Sequence, residues 1–185
     1  MRRLIASDLH GSVVYTEQLV ALYRASGAGQ LVLLGDLFFS GSYDPRYGYD
    51  PEGVAELLAP LAGSLVWIEG NCDRGAERLL PVPAQPRYVQ TVWDGHAVFL
   101  THGHRYGPSM PPPQGTAELL LSGHTHVPAF GRVGDLICAC PGSVSLPRGG
   151  SARGVLLYED GLLRWLGLDG QELRRERIWP SADPV

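Results

Sequence analysis

Five places in this chain set metal-capable side chains beside a turn. Asp8 and His10 form an Asp-x-His pair, Asp36 follows Gly35, Asn71 follows Gly70, His102 precedes Gly103, and His124 and His126 follow Gly123. Carboxylates, an amide oxygen and imidazoles suit Mn²⁺, Fe²⁺ or Zn²⁺, and the chain has no thiolate set for a structural zinc. Seven candidates are too many for one ion, whereas two ions could share them through a bridging carboxylate. Two ions roughly 3.5–4 Å apart can activate a water and clamp both ends of an in-line phosphoryl displacement. Each fragment alone is weak: an Asp and a His beside a turn often bond only backbone, Gly-Asp is a common strand ending, and His-x-His suits a solvated loop. The weight lies in their joint placement.

That placement depends on the elements in front of them. Leu4-Ile5-Ala6 ends at Ser7-Asp8, Gln30 to Leu34 at Gly35-Asp36, Leu65 to Ile68 at Gly70-Asn71, His96 to Thr101 at His102, and Leu119 to Leu121 at Ser122-Gly123. Each run reads as a strand, and open α/β sheets collect ligands at the C-terminal edge of their strands. Thr16 to Ala25 carries Leu19, Leu22 and Tyr23 at helical spacing. Asp50-Pro51-Glu52 reads as an N-cap, a first-turn proline and a first-turn acid, with Val54, Leu57, Leu58 and Leu61 as the buried stripe. After Pro81 the pattern turns to hairpins. Asp94-Gly95 joins Arg87–Trp93 to His96–Thr101, and Asp160-Gly161 and Asp169-Gly170 punctuate later strands. A strand–helix half meeting a hairpin-rich half predicts two packed sheets with helices outside.

Bulk properties narrow the chemistry. A chain of 185 residues fits one domain, 1–185, and its 44% hydrophobic and 18% charged content is that of a globular protein. The net charge of −4 argues against a non-specific polyanion binder, and no basic stripe suggests nucleic acid. All the basic residues are Arg, which excludes a Walker-type lysine, a Schiff-base lysine and a Ser–Lys dyad. No secretory leader or membrane span is read, so the expected location is the cytoplasm, with free thiols.

Asp8-x-His10, Gly35-Asp36, Gly70-Asn71-Cys72-Asp73, Thr101-His102-Gly103-His104 and Gly123-His124-Thr125-His126 resemble the five signature blocks of the calcineurin-like metallophosphoesterases. Pro141-Gly142-Ser143-Val144-Ser145 and Pro147-Arg148-Gly149-Gly150 are similar to the tail motif of its small bacterial YfcE-like phosphodiesterases. The resemblance runs nearly end to end. It implies an α/β fold, a four-layer αββα sandwich of two mixed β-sheets flanked by helices. It also implies two divalent metal ions, manganese first, with Fe, Zn, Ni or Mg as alternatives. By motif, Asp8, His10 and His126 would hold one ion, Asn71, His102 and His124 the other, and Asp36 would bridge them. The implied activity is hydrolysis of small phosphodiesters by in-line attack of a metal-bridging hydroxide. The alternatives are a phosphomonoesterase or protein phosphatase, and a non-catalytic scaffold. The expected partner is a small-molecule phosphate ester, with no nucleic acid and no membrane; homo-oligomerisation is left open.

Asn71, His102, His104 and Asp73 are the catalytic candidates. Much of the superfamily has a general-acid His after Gly-Asn, where this chain has Cys72. A thiol protonates an alkoxide poorly, so diesters with good leaving groups such as aryl phosphates are expected. His104 is the spare acid, or else a hydrogen-bonded loop residue. Asp73 supports the site or caps a short helix beginning near Arg74. Cys138 and Cys140 read as buried strand residues. The loop with Phe38, Phe39, Tyr43, Tyr47 and Tyr49 is a wall of the substrate pocket, or else an oligomer contact or local packing. Arg74 and Arg105 are candidates for a phosphate oxygen or for plain solvation.

Overall fold

The computed structural model describes residues 1–39, 48–73, 75, 79–80 and 87–180. In chain order the elements are β1 (Arg3–Ala6), α1 (Val13–Ser26), β2 (Gln30–Leu33), α2 (Pro51–Leu58), a 3₁₀ turn (Ala59–Ser64), β3 (Leu65–Trp67), β4 (Tyr88–Trp93), β5 (His96–Thr101), β6 (Leu119–Ser122), β7 (Ala129–Val133), β8 (Leu136–Cys140), β9 (Gly154–Glu159), β10 (Leu162–Gly167) and β11 (Glu172–Arg177). They form a six-stranded sheet, β11-β10-β9-β1-β2-β3, and a five-stranded sheet, β4-β5-β6-β8-β7. Both are mixed. β1 runs parallel to β2 and antiparallel to β9, while β5, β6 and β8 run parallel with antiparallel β4 and β7 at the edges.

The all-apolar strands are buried on both faces, which is why they lack polar alternation. Leu4 and Ala6 of β1 and Leu31 and Leu33 of β2 pack with Leu19, Val20 and Tyr23 of α1 and Val54 and Leu58 of α2. Ile5 and Val32 point the other way. They share the inter-sheet core with Leu156, Tyr158 and Trp165 from the first sheet and Val98, Leu100, Leu119, Leu121 and Ile137 from the second. Truncating one such leucine to alanine costs about 2–5 kcal/mol.

The local signals lie where chemistry requires them. Helix α1 starts three residues before the expected Thr16, because Ser12 caps it by accepting from Tyr15 N, and it ends on Gly27 at φ 66°. Asp50 caps α2 by accepting from Gly53 N, with Pro51 in the first turn. Asp94-Gly95 and Asp160-Gly161 take positive φ at both residues, as type I′ hairpin turns demand.

The two-sheet α/β sandwich is built as expected. Both α-helices lie on the six-stranded sheet. On the outer face of the other sheet, Phe99, Leu120 and Cys138 pack with Leu136 of β8 and are covered by Tyr106 and Ala117. No described residue of that cover is helical. The covering segment contains Gly103, Gly107, Pro108, Pro111 to Pro113 and Gly115, which cannot sustain a helix. Strand β7 was not anticipated; its residues are largely exposed on an edge and lack apolar patterning.

Candidate metal centre

The carboxyl ends of β1, β2 and β3 in one sheet and of β5 and β6 in the other bring the five turns together. Among the described residues, eight non-glycine positions have positive φ, and five of them are Asp8, His10, Asp36, His124 and His126. Backbone of this kind costs of order 1–3 kcal/mol per residue and persists only where the surroundings impose it. Here they do. The Asp8 carbonyl accepts from Ser143 Oγ at 2.7 Å and Ser145 Oγ at 3.0 Å. Two glycines let the loops touch: a Cβ on Gly70 would stand 2.1 Å from Asp36 Oδ1, and one on Gly123 would stand 1.8 Å from Ser7 Oγ.

Three histidines are oriented by carbonyls. Nδ1 of His10 donates to Phe39 O (2.8 Å), Nδ1 of His102 to Leu34 O (2.7 Å) and Nδ1 of His126 to Leu146 O (2.6 Å). A carbonyl can only accept, so each ring carries its proton on Nδ1 and, when neutral, turns a bare Nε2 lone pair inward. These lone pairs meet other lone pairs. His10 Nε2 lies 3.2 Å from His126 Nε2. Asp8 Oδ1 lies 3.3 Å from His126 Nε2 and 3.7 Å from His10 Nε2. That oxygen is buried and receives no hydrogen bond, while its twin, Oδ2, accepts from His124 N. Electron pairs gathered this closely fit a cation between them.

A second group stands beside the first. One ligand atom each from Asp36, His102 and His124 lies within 4.8 Å of the others, as holds also for Asp8, His10 and His126. Asn71 joins the second group, with Oδ1 3.1 Å from His102 Nε2. Asp36 faces both: its Oδ2 lies 3.3 Å from His102 Nε2 and 3.8 Å from His10 Nε2. Its other oxygen accepts from Cys72 N at 2.8 Å. All seven residues singled out by spacing thus converge, and the donor set fits two cations sharing Asp36.

The electrostatics follow from this crowding. Burial would raise the Asp8 pKa, but His10, His126 and His102 hold it well below the usual carboxylate range. Asp36 is lowered too, with burial outweighed by His102. Burial would lower His10 and His102, but Asp8 and Asp36 raise both. His104 and His124 are lowered by burial and by His102. Burial and the charge of Asp36 push the Cys72 thiol up to about 12, which keeps it protonated.

The remaining candidates sort differently. His104 lies beside the second group, its ring 5.4 Å from His102 and 6.2 Å from His124. Its Nδ1 is buried without a partner, and Nε2 accepts from Arg105 Nε at 3.3 Å. Asp73 turns its carboxylate to backbone amides, and the helix start expected near Arg74 lies outside the described residues. Its Oδ2 accepts from Asp36 N (2.7 Å) and Gly70 N (2.9 Å), its Oδ1 from Leu37 N (2.8 Å) and Phe38 N (3.3 Å). Burial pushes its pKa up against the pull of those amides. Phe38 is a core residue, edge-on to Trp67 at 5.9 Å, so it forms no pocket wall. Tyr43, Tyr47 and Arg74 lie outside the described residues. Cys138 and Cys140 are buried on β8. Ser143 and Arg148 were missed as functional candidates. Arg148 N donates to His126 O at 3.1 Å, and its side chain is exposed on that loop. The tail motif was the available signal, but its contacts to Asp8 and His126 arise only on folding.

The family described as the calcineurin-like phosphoesterase superfamily domain matches residues 1–160. Phosphodiesterase YfcE of Escherichia coli K12 is 36% identical over 178 residues, 94% of this chain and 95% of the relative. A solved structure of Yfce, described as a phosphoesterase from E. coli, aligns with a TM-score of 0.89 at 34% identity, over 96% of this chain and 100% of that one. Vacuolar protein sorting 29 from Cryptosporidium parvum aligns over 95% of each chain at 16% identity and a TM-score of 0.58, a likeness of fold alone. With its signature positions converging at one sheet edge and this match over most of its length, the chain belongs to the calcineurin-like phosphoesterase superfamily.

Proposed function

We propose that this chain is a dimetal phosphodiesterase acting on small phosphodiesters, with manganese as the first choice of metal. The observation that carries the reading is two adjacent donor groups, Asp8–His10–His126 and Asp36–His102–His124, with Asp36 Oδ2 facing a histidine of each and Asp8 Oδ1 buried without a hydrogen bond. YfcE, the 36% identical relative, is described as a phosphodiesterase. Divalent cations held here would neutralise phosphoryl charge and make a water nucleophilic near neutral pH.

The protein's own groups do the rest. Asp8, His10 and His126 would hold one cation, Asn71, His102 and His124 the other, and Asp36 would touch both. The carbonyls of Leu34, Phe39 and Leu146 keep three imidazoles from rotating. Such preorganisation spares reorganisation when charge builds on the phosphoryl oxygens. His104, at the rim with a buried free Nδ1, is the candidate to meet a substrate oxygen. Hydrolysis adds water across one P–O bond and releases a monoester and an alcohol. Cys72 stands after Asn71 where a histidine acid would otherwise be expected, and a thiol is a poor proton donor to an alkoxide, so the reading favours aryl or similarly good leaving groups.

The test is release of p-nitrophenol from bis-p-nitrophenyl phosphate and from p-nitrophenyl phosphate, by metal-stripped protein supplied with Mn²⁺, Mg²⁺, Zn²⁺ or nothing. Metal-dependent release favouring the diester is expected. Release from the monoester alone would replace the reading with a phosphomonoesterase. No release from folded, metal-loaded protein would leave a binding role.

A further inference from the structure

Cys72 stands where its sulfur meets a metal-ligand candidate. Asn71 Nδ2 donates to Cys72 Sγ at 3.2 Å, and at the other end of the same amide Asn71 Oδ1 lies 3.1 Å from His102 Nε2. An amide has a donor end and an acceptor end. With Nδ2 engaged by sulfur, the oxygen faces the histidine and can serve a cation. Turned over, Nδ2–H would hydrogen-bond the bare His102 Nε2, tying up two donor atoms at once. Something must favour one orientation, and the Cys72 sulfur is the acceptor in place to do so.

We propose that Cys72 is a positioning residue of the metal centre: its sulfur takes the Asn71 N–H and thereby presents Asn71 Oδ1 to the cation. This rests on the dimetal reading above and gives the residue after Asn71 a role other than proton donation. The competing role is ligation, since Cys72 Sγ lies within 4.8 Å of ligand atoms of His10 and Asp36. The backbone N–H of Cys72 holds Asp36 Oδ1 whatever the side chain, so substitution isolates the sulfur.

The test is calorimetric titration of Mn²⁺ into chelator-stripped wild type, Cys72→Ala and Cys72→Ser, with the metal-free melting temperature as the folding control. Wild type should bind two ions. Cys72→Ala should melt like wild type yet bind one ion about 10-fold more weakly, as removal of an orienting partner does. Cys72→Ser, whose hydroxyl can accept the same N–H, should recover most of the loss. In an Asn71→Asp background Cys72→Ala should change nothing, because a carboxylate presents oxygen in either orientation. Co²⁺-loaded wild type should lack a sulfur-to-cobalt charge-transfer band. Unchanged affinity in Cys72→Ala overturns the proposal, and so does a charge-transfer band that Cys72→Ser abolishes. Wild type that binds metal but cleaves no diester overturns the proposed activity and leaves the Cys72 result standing on the affinities. Wild type that binds no metal overturns both.

Discussion

Asp73 accepts the backbone N–H of Asp36 at 2.7 Å, while Asp36 accepts the backbone N–H of Cys72 at 2.8 Å, so each loop holds the other. The Asp73 carboxylate satisfies four amides in all from a position 1% exposed. It is a clamp that places the Asp36 loop. Asp73→Asn turns an amide NH₂ against those donors and leaves buried N–H groups unpaired, at about 3 kcal/mol. Thermal denaturation of the metal-free variant should show a melting point roughly 6–12 °C lower. An unchanged melting point would mean that other groups hold the Asp36 loop.

Ser143 does the matching work for Asp8. Its hydroxyl donates to Asp8 O and accepts from Ser145 N (3.2 Å) and Leu146 N (2.9 Å). Leu146 in turn orients His126. Ser143→Ala should destabilise the protein by about 2–4 kcal/mol and weaken metal binding as well. Denaturant unfolding and Mn²⁺ titration would read the two effects. Loss of stability with wild-type affinity would refute the link to His126.

Metal and protons compete for the same lone pairs. His10 and His102 have raised pKa values in the metal-free protein. A raised histidine contributes stability that is full below its unfolded pKa, about 6.5, and is lost as pH rises through the folded value. The depressed Asp8 contributes stability that is present above about 3.9 and is lost in acid. Metal-free protein should therefore be most stable on the mildly acidic side and lose melting temperature as pH climbs. His104 and His124 act in the opposite sense, but they are more exposed and solvent screens them. Mn²⁺ should replace the lost protons, so its stabilisation should grow with pH, reaching about 2.7 kcal/mol at 100 times Kd. Scanning calorimetry with chelator or Mn²⁺ between pH 5 and 9 decides this; a metal effect that shrinks as pH rises would contradict it.

Arg148 sits on the loop bonded to His126, and among the described residues its guanidinium makes no ion pair. If it meets substrate anions, Arg148→Gln should raise KM roughly fivefold, about 1 kcal/mol, and leave kcat and metal affinity unchanged. Steady-state kinetics on the aryl diester would show this, and an unaltered KM would place Arg148 outside the substrate path.

The chain by itself determined which residues could serve as ligands and which elements would carry them. Asp, Asn and His after apolar runs are local patterns, and so are the Asp50 cap and the Asp94-Gly95 and Asp160-Gly161 turns. Local patterns are legible because φ and ψ preferences and burial periodicity act over a few residues. Tertiary structure alone decided how those side chains face. His102 turns Nε2 inward because Leu34 O, 68 residues away, takes its other proton, and His126 does so because of Leu146 O. Asp73 became a clamp because Gly70, with no Cβ, lets the Asp36 amide reach it. His96, apart from the metal-capable set in sequence, bonds Glu118 and stacks at 4.0 Å on Trp179, which lies beyond the last strand. The outer face of the five-stranded sheet is covered by a proline- and glycine-rich loop, which has no periodicity to read. These outcomes depend on hydrogen bonds and packing between residues far apart in the chain, and the sheets must pair before such contacts exist.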